Sequence, residues 1–240
     1  MRGTTRALLR LFGVQAGWSF ERMNGIGVGF AAEPLIEAEV PAGQRAAARA
    51  RSAEFFNTHP WLAGLAVGAE VRAEADGVAG PQVERLRTAL SSPLGALGDQ
   101  VFWAGLIPAL VALGVMGALR FGWPAVAGAV AAAVACRVAV TVWALRQGLA
   151  SGLLVGRVVQ GSWLPRAGRP LGFVAALLVG LAIPRIAAAA LPATHAGAAP
   201  LVAGVALAGA ALGLRLGARA NAVRLGLGTL TLLLLWQAVS

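Results

Sequence analysis

Beyond residue 100 the chain is built from apolar runs, at 101–119, 121–143, 171–191, 201–214 and 222–239. A helix rises 1.5 Å per residue, so crossing a hydrocarbon core takes roughly 20 apolar residues. Four of the runs are near that length, and 201–214 reaches it when residues 198–200 and those before Arg219 are added. The pattern predicts an all-α, polytopic membrane protein with about five transmembrane helices.

Composition points the same way. With 58% hydrophobic and 12% charged residues, a single water-soluble core would have to hide more apolar surface than the polar residues could cover. The net charge of +10 invites a nucleic-acid reading. Yet the acids and arginines of the first hundred residues balance, and the whole excess falls after Asp99. There the arginines stand singly or in small groups between apolar runs, without interleaved aromatics, so they read as topology signals. A lipid bilayer is the expected surrounding, and no nucleic acid is an expected partner.

With the N-terminal region in the cytoplasm, Arg120 falls outside, and Arg146, Arg157, Arg166 and Arg169 fall inside. The uncharged loop 192–200 falls outside, Arg215, Arg219 and Arg224 inside, and the C-terminus outside. Arg10 interrupts the apolar stretch that a cleavable signal peptide would need, so the N-terminus is expected to be retained. Cys136 alone excludes an internal disulfide, and His59 and His195 make no metal cluster. No cofactor and no catalytic residues are expected, because paired carboxylates or a nucleophile with an oriented base are missing from the pattern.

Three regions follow. Residues 1–56 read as an amphipathic, cytosolic helical region. Arg2, Arg6 and Arg10 recur every fourth residue with Leu8, Leu9, Leu11 and Phe12 toward the other side, which fits an interfacial helix or an ordinary soluble amphipathic one. Residues 33–51, broken at 41–43, read as two solvated helices. Residues 57–100 hold two proline-opened apolar fragments, 60–69 and 93–97, too short to cross and expected as re-entrant or half-membrane hairpins. The polar stretch 70–87 between them is expected to be exposed. Residues 101–240 form the transmembrane region. There Gly148, Gly152 and Gly156, and again Gly209, Gly213 and Gly217, recur at four-residue spacing and are expected as helix-packing seams.

Three constellations stand out. In GWSFERMNGIGVGF, residues 17–30, the glycines Gly25, Gly27 and Gly29 miss the dinucleotide fingerprint and lack a preceding strand. Close packing is expected, with Trp18 and Phe20 as anchors and Glu21 and Arg22 as a local or inter-subunit ion pair. In EFFNTHPW, Asn57 or Thr58 caps a helix opened by Pro60, or Asn57, His59 and Trp61 offer an amide, an imidazole and a stacking face to a sugar. Both readings stand. In SSPLGALGDQVFW, Asp99 caps the first long run or faces a cavity as a functional carboxylate, with Trp103 one turn on. Arg137 and Arg185 lie within or near spans; Arg185 snorkels outward, and Arg137 snorkels toward the cytosolic loop or pairs with Asp99.

Taken in this order, the three stretches resemble the IID subunit of the mannose, fructose and sorbose family of phosphotransferase permeases. The family pattern of a Trp before F/Y-E-R-M, a glycine-rich helix, E-F-F-N-T-x-P, and G-P-L-A-G-x-G-D followed by F-W is met over Trp18 to Met23, Glu54 to Pro60, and Pro93 to Trp103. Ser92 departs from it where glycine is usual, Gly95 and Ala96 are swapped, and Glu33 stands where an apolar residue is usual. The resemblance implies a non-catalytic membrane subunit paired with a IIC subunit around the path of a mannose-class sugar. It also implies soluble IIA and IIB partners that carry phosphate on histidines, so His59 is not expected to be phosphorylated. The alternative is a structural or regulatory subunit that keeps the scaffold without transporting. Asn57, His59, Trp61, Asp99 and Trp103 are the expected sugar-facing residues, in a multi-pass protein of the bacterial inner membrane.

Overall fold

The computed structural model describes residues 2–190 and Gly204, and all regular secondary structure among them is helical. The helices are α1 Thr4–Leu11, α2 Gly25–Glu39, α3 Arg45–Ser52, α4 Ala63–Ala75 and α5 Gly80–Leu90. They continue as α6 Pro93–Gly98, α7 Ile107–Phe121, α8 Trp123–Ser151, α9 Val155–Gly161 and α10 Leu164–Ala190. A π-helical stretch, Asp99–Leu106, joins α6 to α7 without a break.

The centre of the N-terminal half is α4. Every residue from Ala63 to Glu74 except Arg72 is buried. At 1.5 Å per residue its 13 residues reach only about 20 Å, too short to cross a bilayer, so it is an internal strut enclosed by the rest of the chain. Small residues let α8 lie directly on it. A Cβ added to Gly64 would stand 2.8 Å from the Leu145 nitrogen, one on Gly68 2.5 Å from the Leu149 nitrogen, and one on Gly148 2.5 Å from the Leu65 oxygen. Backbone meets backbone there, and dispersion between close main chains holds the pair.

The first glycine-rich stretch performs the same task at the start of α2. A Cβ on Gly25 would overlap the Glu54 carbonyl, one on Gly27 the Val14 carbonyl, and one on Gly29 would stand 3.0 Å from the Ala53 Cα. These glycines are occupied by neighbouring backbone, which leaves no room for a phosphate.

Two helical stretches, Gly80–Phe121 and Trp123–Ile186, are long and apolar enough to cross a membrane. Their apolar windows are turned outward, with only 6% of the second buried. Val126, Val130, Val134 and Val138 form an exposed stripe on α8, and Phe173, Leu177 and Leu181 another on α10. A water-soluble protein would bury these stripes, whereas lipid matches them. A straight 64-residue helix would reach about 96 Å, some three bilayer cores. The chain instead turns at Gly152, φ +50°, and at Ser162, and α10 returns onto α7 and the π-helical stretch.

Several expectations are corrected. Residues 70–87 are not uniformly exposed: Glu70, Glu74 and Arg87 are buried because they pair, as described below. Residues 93–97 form no separate fragment but the first turn of the helix that runs on into α7. Gly148, Gly152 and Gly156 do not line one helix, since α8 ends at Ser151; a Cβ on Gly156 would meet open space. Residues 201–214 and 222–239, the loop 192–200, and Gly209, Gly213 and Gly217 lie outside the described residues, apart from Gly204.

Candidate substrate-facing site

The three constellations meet through their main chains. Met23 forms a bridge to Phe56, in which the Asn24 amide donates to the Phe56 carbonyl at 3.0 Å and the Phe56 amide to the Arg22 carbonyl at 3.2 Å. Buried Asn24 then donates its Nδ2 to the Thr58 carbonyl at 2.7 Å. On the other side, the Asn57 amide donates to Ser91 Oγ at 3.0 Å, and the Ser92 amide to the Asn57 carbonyl at 2.9 Å. The extended segment Asn57–His59 is thus strung between the first motif and the third.

That segment delivers His59 to the centre. The residue caps the 3-10 turn Pro60–Leu62, its Nδ1 accepting the Trp61 amide at 3.2 Å. The capping group is therefore His59, where Asn57 or Thr58 was expected; Thr58 Oγ1 donates instead to the His59 carbonyl at 3.3 Å. A ring nitrogen that accepts is unprotonated, so the neutral imidazole carries its hydrogen on Nε2. Nε2 is buried and has no partner among the described residues. A buried donor without a partner costs about 1–3 kcal/mol, so a ligand that accepts from it gains by relieving that cost.

The third motif builds the wall around the ring. Gly98 is where the helix passes His59, and a Cβ there would overlap the His59 Cβ. Beyond it, Phe102 and Trp103 lie 4.9 and 5.2 Å from the imidazole, and Trp61 lies 5.9 Å away. Trp61 and Phe102 also stack on each other at 4.6 Å. The π-helical winding carries Phe102 and Trp103 past this point, and α10 is laid against the same turn by Gly105 and Gly168, where added Cβ atoms would stand 2.8 Å from Leu171 and 2.6 Å from the Gln100 side chain.

The arrangement brings His59, Trp61 and Trp103 together, with Asn57 beside them near Gly95. Trp103 is 48% exposed, so an aromatic face at the edge of the fold covers the buried N–H donor of His59. Asp99 is exposed within a continuous helix that starts at Pro93, so it caps nothing. It has no ion pair among the described residues, and Arg137 does not reach it. Arg137 donates from Nη2 to the Phe12 carbonyl at 2.7 Å and lies over the Phe12 ring, closing the C-terminal end of α1. Among the described residues Arg185 has a distant Met116 Sδ, at 4.0 Å.

The first-motif residues expected to pack helices or subunits as anchors or an ion pair do not do so within the described chain. Trp18 and Phe20 are 48% and 84% exposed and meet each other edge to face at 4.9 Å, so they anchor nothing within the described chain. Glu21 and Arg22 form no ion pair with each other; Arg22 Nη1 donates to the Ala53 carbonyl at 3.4 Å. Phe102 was missed, and its signal was present in the F-W pair two residues after Gln100. A second omission is the ionic clamp behind the site. Arg87 donates from Nη1 to Glu70 Oε2 at 2.5 Å and from Nη2 to the Glu54 carbonyl at 3.0 Å. Arg51 holds Glu74 with two hydrogen bonds of 2.8 Å. Among the described residues no three metal-ligating side chains converge.

A profile of the PTS system mannose/fructose/sorbose family IID component matches residues 2–219. The chain is 33% identical over 107 residues to the mannose-specific EIID component of Escherichia coli (strain K12), covering 42% of this chain and 38% of that protein. It is 32% identical over 108 residues to the fructose permease IID component of Bacillus subtilis (strain 168), covering 42% and 39%. With the sorbose-specific EIID component of Klebsiella pneumoniae it shares 34% identity over 111 residues, covering 44% and 40%. The chain thus spans about two fifths of the length of these curated relatives.

Among solved structures it resembles a chain of the mannose transporter ManYZ in complex with microcin E492 (MceA). There the TM-score is 0.59 and the identity 24%, over 76% of this chain and 69% of that one. A structure described only as that of a membrane protein matches with a TM-score of 0.76 and 20% identity, over 99% and 96%. With nine tenths of its length matched by one family profile, the chain belongs to the mannose/fructose/sorbose family of phosphotransferase-system IID components.

Proposed function

We propose that this chain is the membrane subunit that forms, with a IIC-type subunit, the path of a mannose-class sugar across the bacterial inner membrane. Phosphate is relayed by separate IIA and IIB proteins, and this chain carries none. About five crossings, a cytoplasmic N-terminus and a division into regions 1–56, 57–100 and 101–240 complete the reading. The observation that supports it best is His59: a buried, neutral imidazole whose Nε2 donor is unclaimed, set against the half-exposed face of Trp103. A sugar offers both matching features, hydroxyl oxygens that accept and a C–H face that stacks.

The relatives whose names specify mannose, fructose and sorbose support the substrate class, and the exposed Trp18 and Phe20 fit a surface covered by another subunit. A second reading, a structural or regulatory subunit without transport, is favoured by Ser92, which departs from the usual glycine in the loop that bonds to Asn57. The test is uptake of labelled mannose, fructose and sorbose by cells carrying the full set of subunits. His59→Ala, Asn57→Ala and Asp99→Ala should each lower uptake by about tenfold, the value of one lost hydrogen bond to ligand, at unchanged membrane abundance. Unchanged uptake in all three variants would sink the site assignment, and absence of uptake by the parent would favour the second reading.

A further inference from the structure

An open cleft of about 860 Å³ lies between α1, α2 and α3, and none of the residues around His59 lines it. Sites for small ligands have volumes of roughly 300–1,000 Å³. Arg2, Arg6, Arg10 and Arg49 face Glu33 and Glu37 across it, so positive charge is in excess. Both carboxylates are already engaged. Glu33 accepts from Arg10 at 2.6 Å, and Glu37 accepts from Arg45 at 2.9 Å and from Arg49.

The guanidinium groups of Arg6 and Arg2 make no ion pair among the described residues; Arg2 reaches Glu39 only through its backbone amide, at 2.7 Å. Four-residue spacing puts Arg6 and Arg10 on one face of α1, and Arg2 lines the same cleft from just before the helix. The same cleft opens onto the start of that helix. Gly3, at φ +84°, precedes it. Guanidinium forks without an ion pair select an oxyanion, and they match a tetrahedral phosphate with paired N–H donors.

The placement of α1 says where such a phosphate is at hand. Ala7 and Leu11 bury the inner side of the helix, and its C-terminal carbonyl at Phe12 is held by Arg137 of α8, whose valine stripe is exposed. The cleft is thereby tied to a helix whose outer face suits lipid, and basic groups beside such helices meet anionic headgroups. We propose that this cleft binds a phosphate anion, either on an anionic phospholipid headgroup or free in solution, through Arg2, Arg6 and Arg10.

The test uses the full chain purified in a maltoside detergent at low salt, titrated separately with dihexanoylphosphatidylglycerol and with inorganic phosphate. Calorimetric affinity and the thermal unfolding midpoint are read together. At least one probe should bind and raise the midpoint, and the double variant R2A/R6A should bind it about tenfold more weakly. Binding of the phosphatidylglycerol alone identifies a headgroup site, and equal binding of both probes identifies a site for free phosphate. Arg6→Gln, at an exposed and unpaired position, supplies a variant with parental helix content by circular dichroism. Failure of both probes to bind the parent, or binding by R2A/R6A and R6Q as tight as the parent's, overturns the proposal.

Discussion

Ser92 has φ +64° and ψ −51°, a backbone region in which a side chain is strained by about 1–3 kcal/mol. The residue is forced there because its amide must reach the Asn57 carbonyl while Pro93 opens the next helix. Glycine adopts such a conformation without a Cβ to collide, so Ser92→Gly should raise the unfolding free energy by about 1 kcal/mol in detergent-solubilised protein. Equal unfolding midpoints for the two proteins would count against strain at this turn. The glycine usual at this position in the family was legible in the sequence; its reason, a positive φ, was not. The capping roles expected of Asn57, Thr58 and Asp99 were misplaced for a related cause. Which group caps a turn depends on where helices begin, and the helix here begins six residues before Asp99, at Pro93.

Between elements, the buried pairs Glu70–Arg87 and Glu74–Arg51 fasten α3 and α5 to the strut α4. Side-chain exposures of 1% and 6% leave Glu70 and Arg87 no route to water. Removing one partner strands the other charge, so Glu70→Leu or Arg87→Met alone should destabilise by about 3–5 kcal/mol, while the double variant E70L/R87M should recover most of the loss. Chemical denaturation of the three proteins measures the cycle, and a loss in the double equal to the sum of the two single losses would refute the pairing. Charge spacing along 70–87 could not reveal this arrangement. Glu70 and Arg87 stand on different helices, and only their meeting turns a polar stretch into a buried one. The glycine seam between α4 and α8 was half legible: Gly148 was seen, but Gly64 and Gly68, its true counterparts, lay in a fragment read for its length.

For the molecule as a whole, the outward-facing valines and leucines of α7, α8 and α10 set the boundary with lipid, and the long apolar runs made that face readable from composition alone. The arginine distribution predicts a cytoplasmic N-terminus. In a Cys136→Ser background, Trp123→Cys, at the exposed turn between α7 and α8, should react with an impermeant maleimide on intact spheroplasts. Ser162→Cys, at the turn before α10, should react only after lysis. The reverse pattern would invert the topology. The folding of the first hundred residues into a strut with helices packed around it was less legible, because short proline-opened fragments carry no sign of which neighbour encloses them.

The segment Asn57–His59 is bonded through its main chain to the loop before α2 on one side and to the loop before α6 on the other. Those bonds make the three loops a single inherited module. A hybrid that takes only the Asn57–His59 segment from a relative would present the old loops with a foreign path of backbone, while a hybrid that takes all three imports the fit intact. On the proposed role of His59, changes in recognition are therefore expected to accumulate as matched sets spread over widely separated stretches of sequence, and to look neutral or harmful when tried one at a time.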